Sequence, residues 1–450
     1  MDTFGWDTVS VLAADTVNGA LAGHAGELVM AFDADPGTDP PVTARGVFAS
    51  WQIMPGGTEQ LLYLGLAVES GTLSVGVGSG PRIAVEFVSR MRESDASTHD
   101  LAGVTVVVAI NLRVLHNSGE EKATLRFDLT RPGYTLPPAG PGCVTPVTVI
   151  DPGGKLSVAA KSLLGMAIAD DLVRKSDRVH YIFSTISLVP PGTDSWLAPT
   201  VSDYSYGARE SGGRPFLGVL NMTEGRPATG HPRQIDPTAL REDMSASFVI
   251  SRDLFLRRVL LPALPTAYRT GADSFVFDAD RHMIRNTREF EAFSVRSGLI
   301  DYHPRIVSFE LRVEGDSLRS SVAGTCDMYA GIGMSFTINS VNRAVFDPAT
   351  RRLAFATDPN PRSSHTSDVP WYFWFLGPLV VGITELCVKV ISDSIAQQLT
   401  DLLRGALSIT ESAPKIVTWT DTDGFDVHVA GLDGALYIMG QVRPRTTALT

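Results

Sequence analysis

Long period-two runs, several of them following one another with no helical stretch between, constrain this chain more than any other feature. "GVTVVVAINLRVLH" from Gly103 and "KATLRFDLT" from Lys122 read as strands, as do "RVHYIFSTISLV" from Arg178, "RIVSFELRVEG" from Arg305 and "GMSFTINSVNRAVFD" from Gly333. In each, successive side chains fall on opposite faces, the spacing of a strand with one buried side. Strands that follow one another directly pair antiparallel, because a parallel neighbour needs a crossover of a dozen or more residues. Pro55-Gly56, Asn117-Ser118-Gly119 and Glu314-Gly315-Asp316 punctuate the runs as turns.

Helical patterns interrupt the strands four times. The first runs from about Val11 to Ala22, preceded by "WDTV", which reads as an edge strand with Trp6 beneath the helix and Asp7 capping or bonding locally. The second spans Ser157 to Lys175, with Leu163, Leu164, Ala167, Ile168, Leu172 and Val173 near one face and Lys161, Asp170 and Arg174 on the wetter side. The third starts at Ser251, an N-cap before "RDLFLRRVLLPAL", and is expected to end near Pro262 or Pro265. The fourth and longest runs from Pro378 to Leu407, with Leu379, Ile383, Leu386, Val390, Leu399 and Leu402 recurring every three or four residues.

The order of elements repeats. Short strand, helix, several strands, long helix and strand describe residues up to Val189, and the same grammar describes the rest from 216 onward. At 450 residues, a chain exceeds what one core usually fills, so two similarly built halves, 1–200 and 213–450, are expected, joined by a Pro-, Gly- and Ser-rich segment around 190–215. The expected class is α+β: an apolar helix stripe must be buried against something, and a strongly twisted antiparallel sheet wrapped around the helix is one natural solution.

Several functions find no support. The net charge of −11 argues against nucleic acid, which needs clustered Lys and Arg; the nearest such group, Arg252, Arg257 and Arg258, sits in an apolar stretch. There is no HExxH, P-loop or GxSxG, and the alternating Gly76, Gly78 and Gly80 have the wrong spacing for a dinucleotide turn. Asp421, Asp423 and Asp426 lack the bidentate Glu of a calcium loop and read as a hairpin turn. Cys143, Cys326 and Cys387 form no CxxC and read as buried free thiols. No catalytic residue, metal ligand or cofactor is assigned, and an enzyme is not expected. Asp2, Asp7 and Asp15 break any signal-peptide pattern, so the expected location is cytoplasmic or reached by another export route. "WYFWFLGPLVVGITELCVKV" from Trp371 is interrupted at Thr384 and Glu385, short of the roughly 20 residues of a membrane span.

Five stretches together resemble a known family: "TFGWDTV" at 3–9, "RVHYIFSTISL" at 178–188, "FLGVLNMTEG" at 216–225, "QIDP" at 234–237 and "SFVISRDLFLRRVLLP" at 247–262. They are similar to the clostridial OrfX and forty-seven-kilodalton proteins encoded beside some neurotoxin genes. The resemblance implies the TULIP fold, TULIP-like long helices wrapped by highly curved antiparallel β-sheets in two similarly built halves, and, with it, non-catalytic binding of a lipid or other hydrophobic ligand in a toxin-associated setting. It transfers no ligand motif.

Lipid-facing candidates therefore come from the apolar faces of the two longest helices: Leu163, Leu164, Ala167 and Ile168, then Leu379, Val380, Ile383 and Leu386. Trp371, Trp374 and Phe375 are candidates for the opening. The competing expectation is that these residues are plain core. A second functional reading is an assembly factor with a vestigial groove, whose partners are other TULIP or toxin-cluster proteins and whose aromatic segment lies in an interface.

Overall fold

The computed structural model describes residues 1–39, 41–77, 97–116, 120–133, 140–188, 195–208, 213–291, 294–297, 300–327, 333–367 and 415–445, with Gly382, Glu385, Leu386 and Lys389. Antiparallel pairing dominates them. Of the strand contacts, Arg131–Pro132 with the start of Cys143–Ile150 is parallel and the others are antiparallel.

The chain opens into the middle of a sheet. Thr8–Ala13 lies between Pro215–Thr223 on one side and Ala246–Ile250 on the other, inside a six-stranded sheet that also takes Pro199–Ala208, Thr422–Asp433 and Ala435–Pro444. All six of its residues are buried. The expected edge strand is thus a central one, and Val11, Leu12 and Ala13 extend it, so the first helix, α1 (Ala14–Gly23), begins later than its periodicity suggests. β-Branched Val9 and Val11 favour this pleated, two-sided burial. Trp6 does not lie under α1. It packs with Val9, Val11, Phe216 and Ile235 in a separate cluster, and its Nε1 donates to the Pro232 carbonyl at 2.8 Å.

Asp7, expected to bond locally, reaches across the sheet instead. Its carboxylate, 1% exposed, accepts from the Thr223 amide at 2.8 Å and the Thr223 hydroxyl at 3.0 Å and pairs with Arg226. Desolvation and the nearby Arg257 bring the Arg226 guanidinium down to about 10.

A ten-stranded sheet runs through Ala31–Ala34, Val42–Thr58, Leu61–Val75, Thr105–His116, Lys122–Asp128, Ile182–Ser187 and Val417–Trp419, with Ser97–Asp100, Arg131–Pro132 and Cys143–Ile150 alongside. Its inner face carries an edge-to-face aromatic group, with Phe127 and Phe183 centroids 4.7 Å apart and Trp51 5.5 Å from Phe127. Asn18 of α1 docks on this sheet by exchanging hydrogen bonds with the Ile53 backbone at 2.7 and 3.1 Å. The second helix, α2 (Val158–Arg174), forms as its sequence predicts, and Ser157 Oγ accepts from the Ala160 amide at 3.1 Å as N-cap. The winding that starts at Arg252, capped by Ser251, continues past both prolines to Tyr268 through wider and tighter turns.

An eight-stranded sheet contains Arg305–Glu314, Ser317–Asp327, Gly333–Asp347 and Arg362–Ser367 among its members. Gly315, with φ of +58°, makes the tight turn between the first two, where a Cβ would be strained. The fourth helical pattern, Pro378 to Leu407, lies outside the described residues except for Gly382, Glu385, Leu386 and Lys389, which are helical. Cys143 and Cys326 are buried free thiols, and burial pushes Cys326 up to about 11; Cys387 lies outside the described residues.

His24 ties α1 to the C-terminal hairpin. Its Nε2 lies 2.8 Å from Asp421 Oδ1, its Nδ1 3.0 Å from Glu27 Oε1, and its ring stands edge-on to Tyr181. The hydrogen bond to Asp421 and then that to Glu27 raise its pKa above 6.5, against the opposing effect of burial. A raised folded-state pKa gives stability that is complete below the unfolded value and is lost as pH rises through the folded one. Urea midpoints of the wild-type protein are expected to fall as pH rises upward from about 6.5, and the fall should be reduced in His24→Gln. Parallel profiles for the two proteins would show that this contact does not couple to folding.

A candidate hydrophobic cleft

Helix α2 is apolar on more than one side. Leu164, Ala167 and Ile168 are fully buried and Leu163 is 8% exposed, all within the main core. The opposite flank meets the strand Cys143–Ile150. At Gly165 the two elements come so close that a Cβ would lie 3.0 Å from Pro146. A glycine inside a helix costs about 1 kcal/mol relative to alanine, and close packing on the strand is its physical use here.

Beside that contact lies a cleft of about 400 Å³. Pro146, Val147 and Val149 form its strand wall, and Val158, Gly165 and Met166 form its helix wall. Val158, Ile150 and Val147, at 84%, 42% and 41% exposure, leave apolar surface around the same helix–strand pair. Lys161 is the charged residue in the lining and approaches Asp151 at 3.7 Å. Asp151 is held well below the usual carboxylate range, chiefly by the hydrogen bond from the Leu156 amide. The volume is within the range of small-molecule pockets, and the apolar walls suit a hydrocarbon better than a polar ligand.

The candidates read from sequence are divided by the structure. Leu163, Leu164, Ala167 and Ile168 come together on the core side of α2, while the open cleft uses Val158, Ser162, Gly165 and Met166 of the same helix. Leu386 is 37% exposed. Trp371, Trp374, Phe375, Leu379, Val380 and Ile383 lie outside the described residues. Sequence reasoning missed the strand wall, although Val147 and Val149 carry a period-two signal and Gly165 interrupts an otherwise good helix. Among the described residues no group of three or more His, Cys, Asp or Glu is placed to hold a metal ion, and no helix is long and apolar enough to cross a membrane.

Among the described residues, curled, mostly antiparallel sheets with few helices, one of them laid beside an apolar cleft, define the class. The chain belongs to the OrfX-like family, described as Protein OrfX2/OrfX3/P47, which residues 3–344 match. It is 20% identical over 413 residues to Protein P47 of Clostridium botulinum (strain Kyoto / Type A2), covering 89% of this chain and 91% of that one. Protein OrfX3 of the same strain is 24% identical over 300 residues, 61% of this chain and 56% of the relative. Two solved structures share the fold. P47 from Clostridium botulinum A2 has a TM-score of 0.71 at 17% identity, with 98% of each chain covered. P47 of Clostridium botulinum E1 has a TM-score of 0.66 at 17% identity, with 98% of this chain and 99% of that one covered.

Proposed function

We propose that this chain is a non-catalytic binding protein for a lipid or other hydrophobic ligand, built on two TULIP-type halves, 1–200 and 213–450, and serving as an accessory factor beside a bacterial toxin or secreted complex. The observation that carries the ligand reading is the cleft of about 400 Å³ between α2 and the strand Cys143–Ile150, walled by Val147, Val149, Val158 and Met166. Apolar surface left open in a cleft loses free energy to water, roughly 25 cal/mol per Å², and a hydrocarbon chain recovers it. The accessory role rests on kinship with Protein P47 and OrfX3 of Clostridium botulinum.

Native mass spectrometry before and after organic extraction tests the reading. Wild-type protein incubated with mixed liposomes is expected to carry an acyl lipid that extraction removes. Met166→Glu places a charge in the apolar wall, where an unpaired carboxylate is costly, and is expected to reduce the bound lipid to background while leaving the fold intact, since Met166 is half-buried. A wild-type mass that stays clean would sink the ligand reading. It would favour the second one, an assembly factor, for which the exposed Val158, Ile150 and Val147 supply the apolar contact surface.

A further inference from the structure

A second cleft, of about 450 Å³, opens on the eight-stranded sheet and has an entirely different chemistry. Strand register arranges its side chains in two rows. Glu310 pairs with Ser321, Ser321 with Asn339 and Asn339 with Arg362, so one row crosses four strands. Arg312 pairs with Arg319, and Arg319 with Val341, in the second row. Directly paired residues share a face, and so do residues two apart along a strand. With strands about 4.8 Å apart, the longer row spans roughly 14 Å, and the rows lie about 7 Å from each other. Asp358 also lines the cleft, accepting from the Val341 amide at 2.7 Å and the Asn360 amide at 2.9 Å.

Two properties of this face leave it polar, open and with hydrogen-bonding capacity to spare. The side chains of Glu310, Ser321, Asn339, Asn360 and Arg362 have no hydrogen-bond or ion-pair partner among the described residues. Arg312 and Arg319 stand directly opposite one another, a destabilising like-charge pair that Glu314 relieves from 3.6 and 3.0 Å. Three guanidiniums (Arg312, Arg319, Arg362) meet three carboxylates (Glu310, Glu314, Asp358), so the site selects neither a phosphate nor a cation by net charge. Along the row Glu310 only accepts, Arg362 only donates, and Ser321 and Asn339 between them do both. A hydroxyl group both donates and accepts, and a row of hydroxyls matches such an array.

We propose that this face binds a short hydroxyl-rich saccharide, laid along the Glu310–Ser321–Asn339–Arg362 row. Val341 is the apolar residue of the lining, so affinity comes from hydrogen bonds exchanged with water, and a Kd on the order of 1 mM is expected. The proposal is independent of the lipid reading, because the two clefts share no residue.

Saturation-transfer NMR on the full chain tests it, with maltotriose, tri-N-acetylchitotriose and sialyllactose as probes. Saturation is expected to reach at least one of the three. The double substitution Asn339→Ala with Arg362→Ala changes two exposed residues and is expected to weaken that probe by about tenfold or more, with the thermal transition unchanged. Met166→Glu should leave the saccharide signal untouched. The proposal falls if none of the three probes receives saturation, or if transfer persists at full strength in the double variant. It also falls if inorganic phosphate displaces the saccharide and itself binds through Arg362, which would make the face an anion site.

Discussion

Asp7→Ala is expected to destabilise the protein by about 3 kcal/mol, the low end for breaking a buried ion pair. The low end applies because Arg226 keeps a side-chain exposure of 32% and so retains some water. Asp7 itself is 1% exposed and holds Thr223 by two hydrogen bonds, so alanine removes the counter-charge and both acceptors at once. Arg226 is then left near Arg257 and Arg258, with Asp253 as the nearby carboxylate and its own buried Nε already unpartnered. Urea unfolding of Asp7→Ala, Arg226→Met and the double variant forms the cycle. The double variant should recover part of the loss, since no isolated buried charge remains. A loss below about 1 kcal/mol for Asp7→Ala would show that the pair is solvated.

Leu164→Ala is expected to cost about 2–5 kcal/mol, the range for emptying a well-packed leucine site. Leu164 is fully buried among Ala160, Leu163, Ala167 and Ile168 in the main cluster. The same variant separates two roles for the inner face of α2. If that face is core, stability drops while lipid uptake, measured as above, stays at the wild-type level. If it faces ligand, uptake changes along with stability, or a lipid compensates the lost volume and the wild-type midpoint returns on its addition. Met166→Glu on the outer flank is expected to show the reverse pattern, losing lipid with a smaller change in stability.

Much of the local structure is legible residue by residue. Gly333–Asp347 forms as one strand over the run that its alternation marks, and Ser157 caps the helix whose apolar stripe begins after it. Arg305–Glu314 and Ser317–Asp327 turn at Gly315, as Glu314-Gly315-Asp316 signals. These are outcomes of period and cap chemistry, which act within a few residues. The first helix misleads for a related reason: Val11, Leu12 and Ala13 fit an apolar helix face and a buried strand equally well, and short apolar runs do not distinguish the two.

Sequence by itself determined the antiparallel character, the placement of α2 and, through five collinear stretches, the family. Tertiary structure alone decided the rest. It made Thr8–Ala13 a central strand by inserting it between partners more than two hundred residues away. It chose which flank of α2 opens as a cleft, because the apolar stripe is wider than the core requires and the position of Pro146 against Gly165 fixes the remaining space. It also assembled the polar row Glu310–Ser321–Asn339–Arg362, four ordinary surface residues until strand register lines them up. Period is a property of neighbours along the chain. Register and helix rotation are set by contacts between segments far apart in it, and no local pattern encodes them.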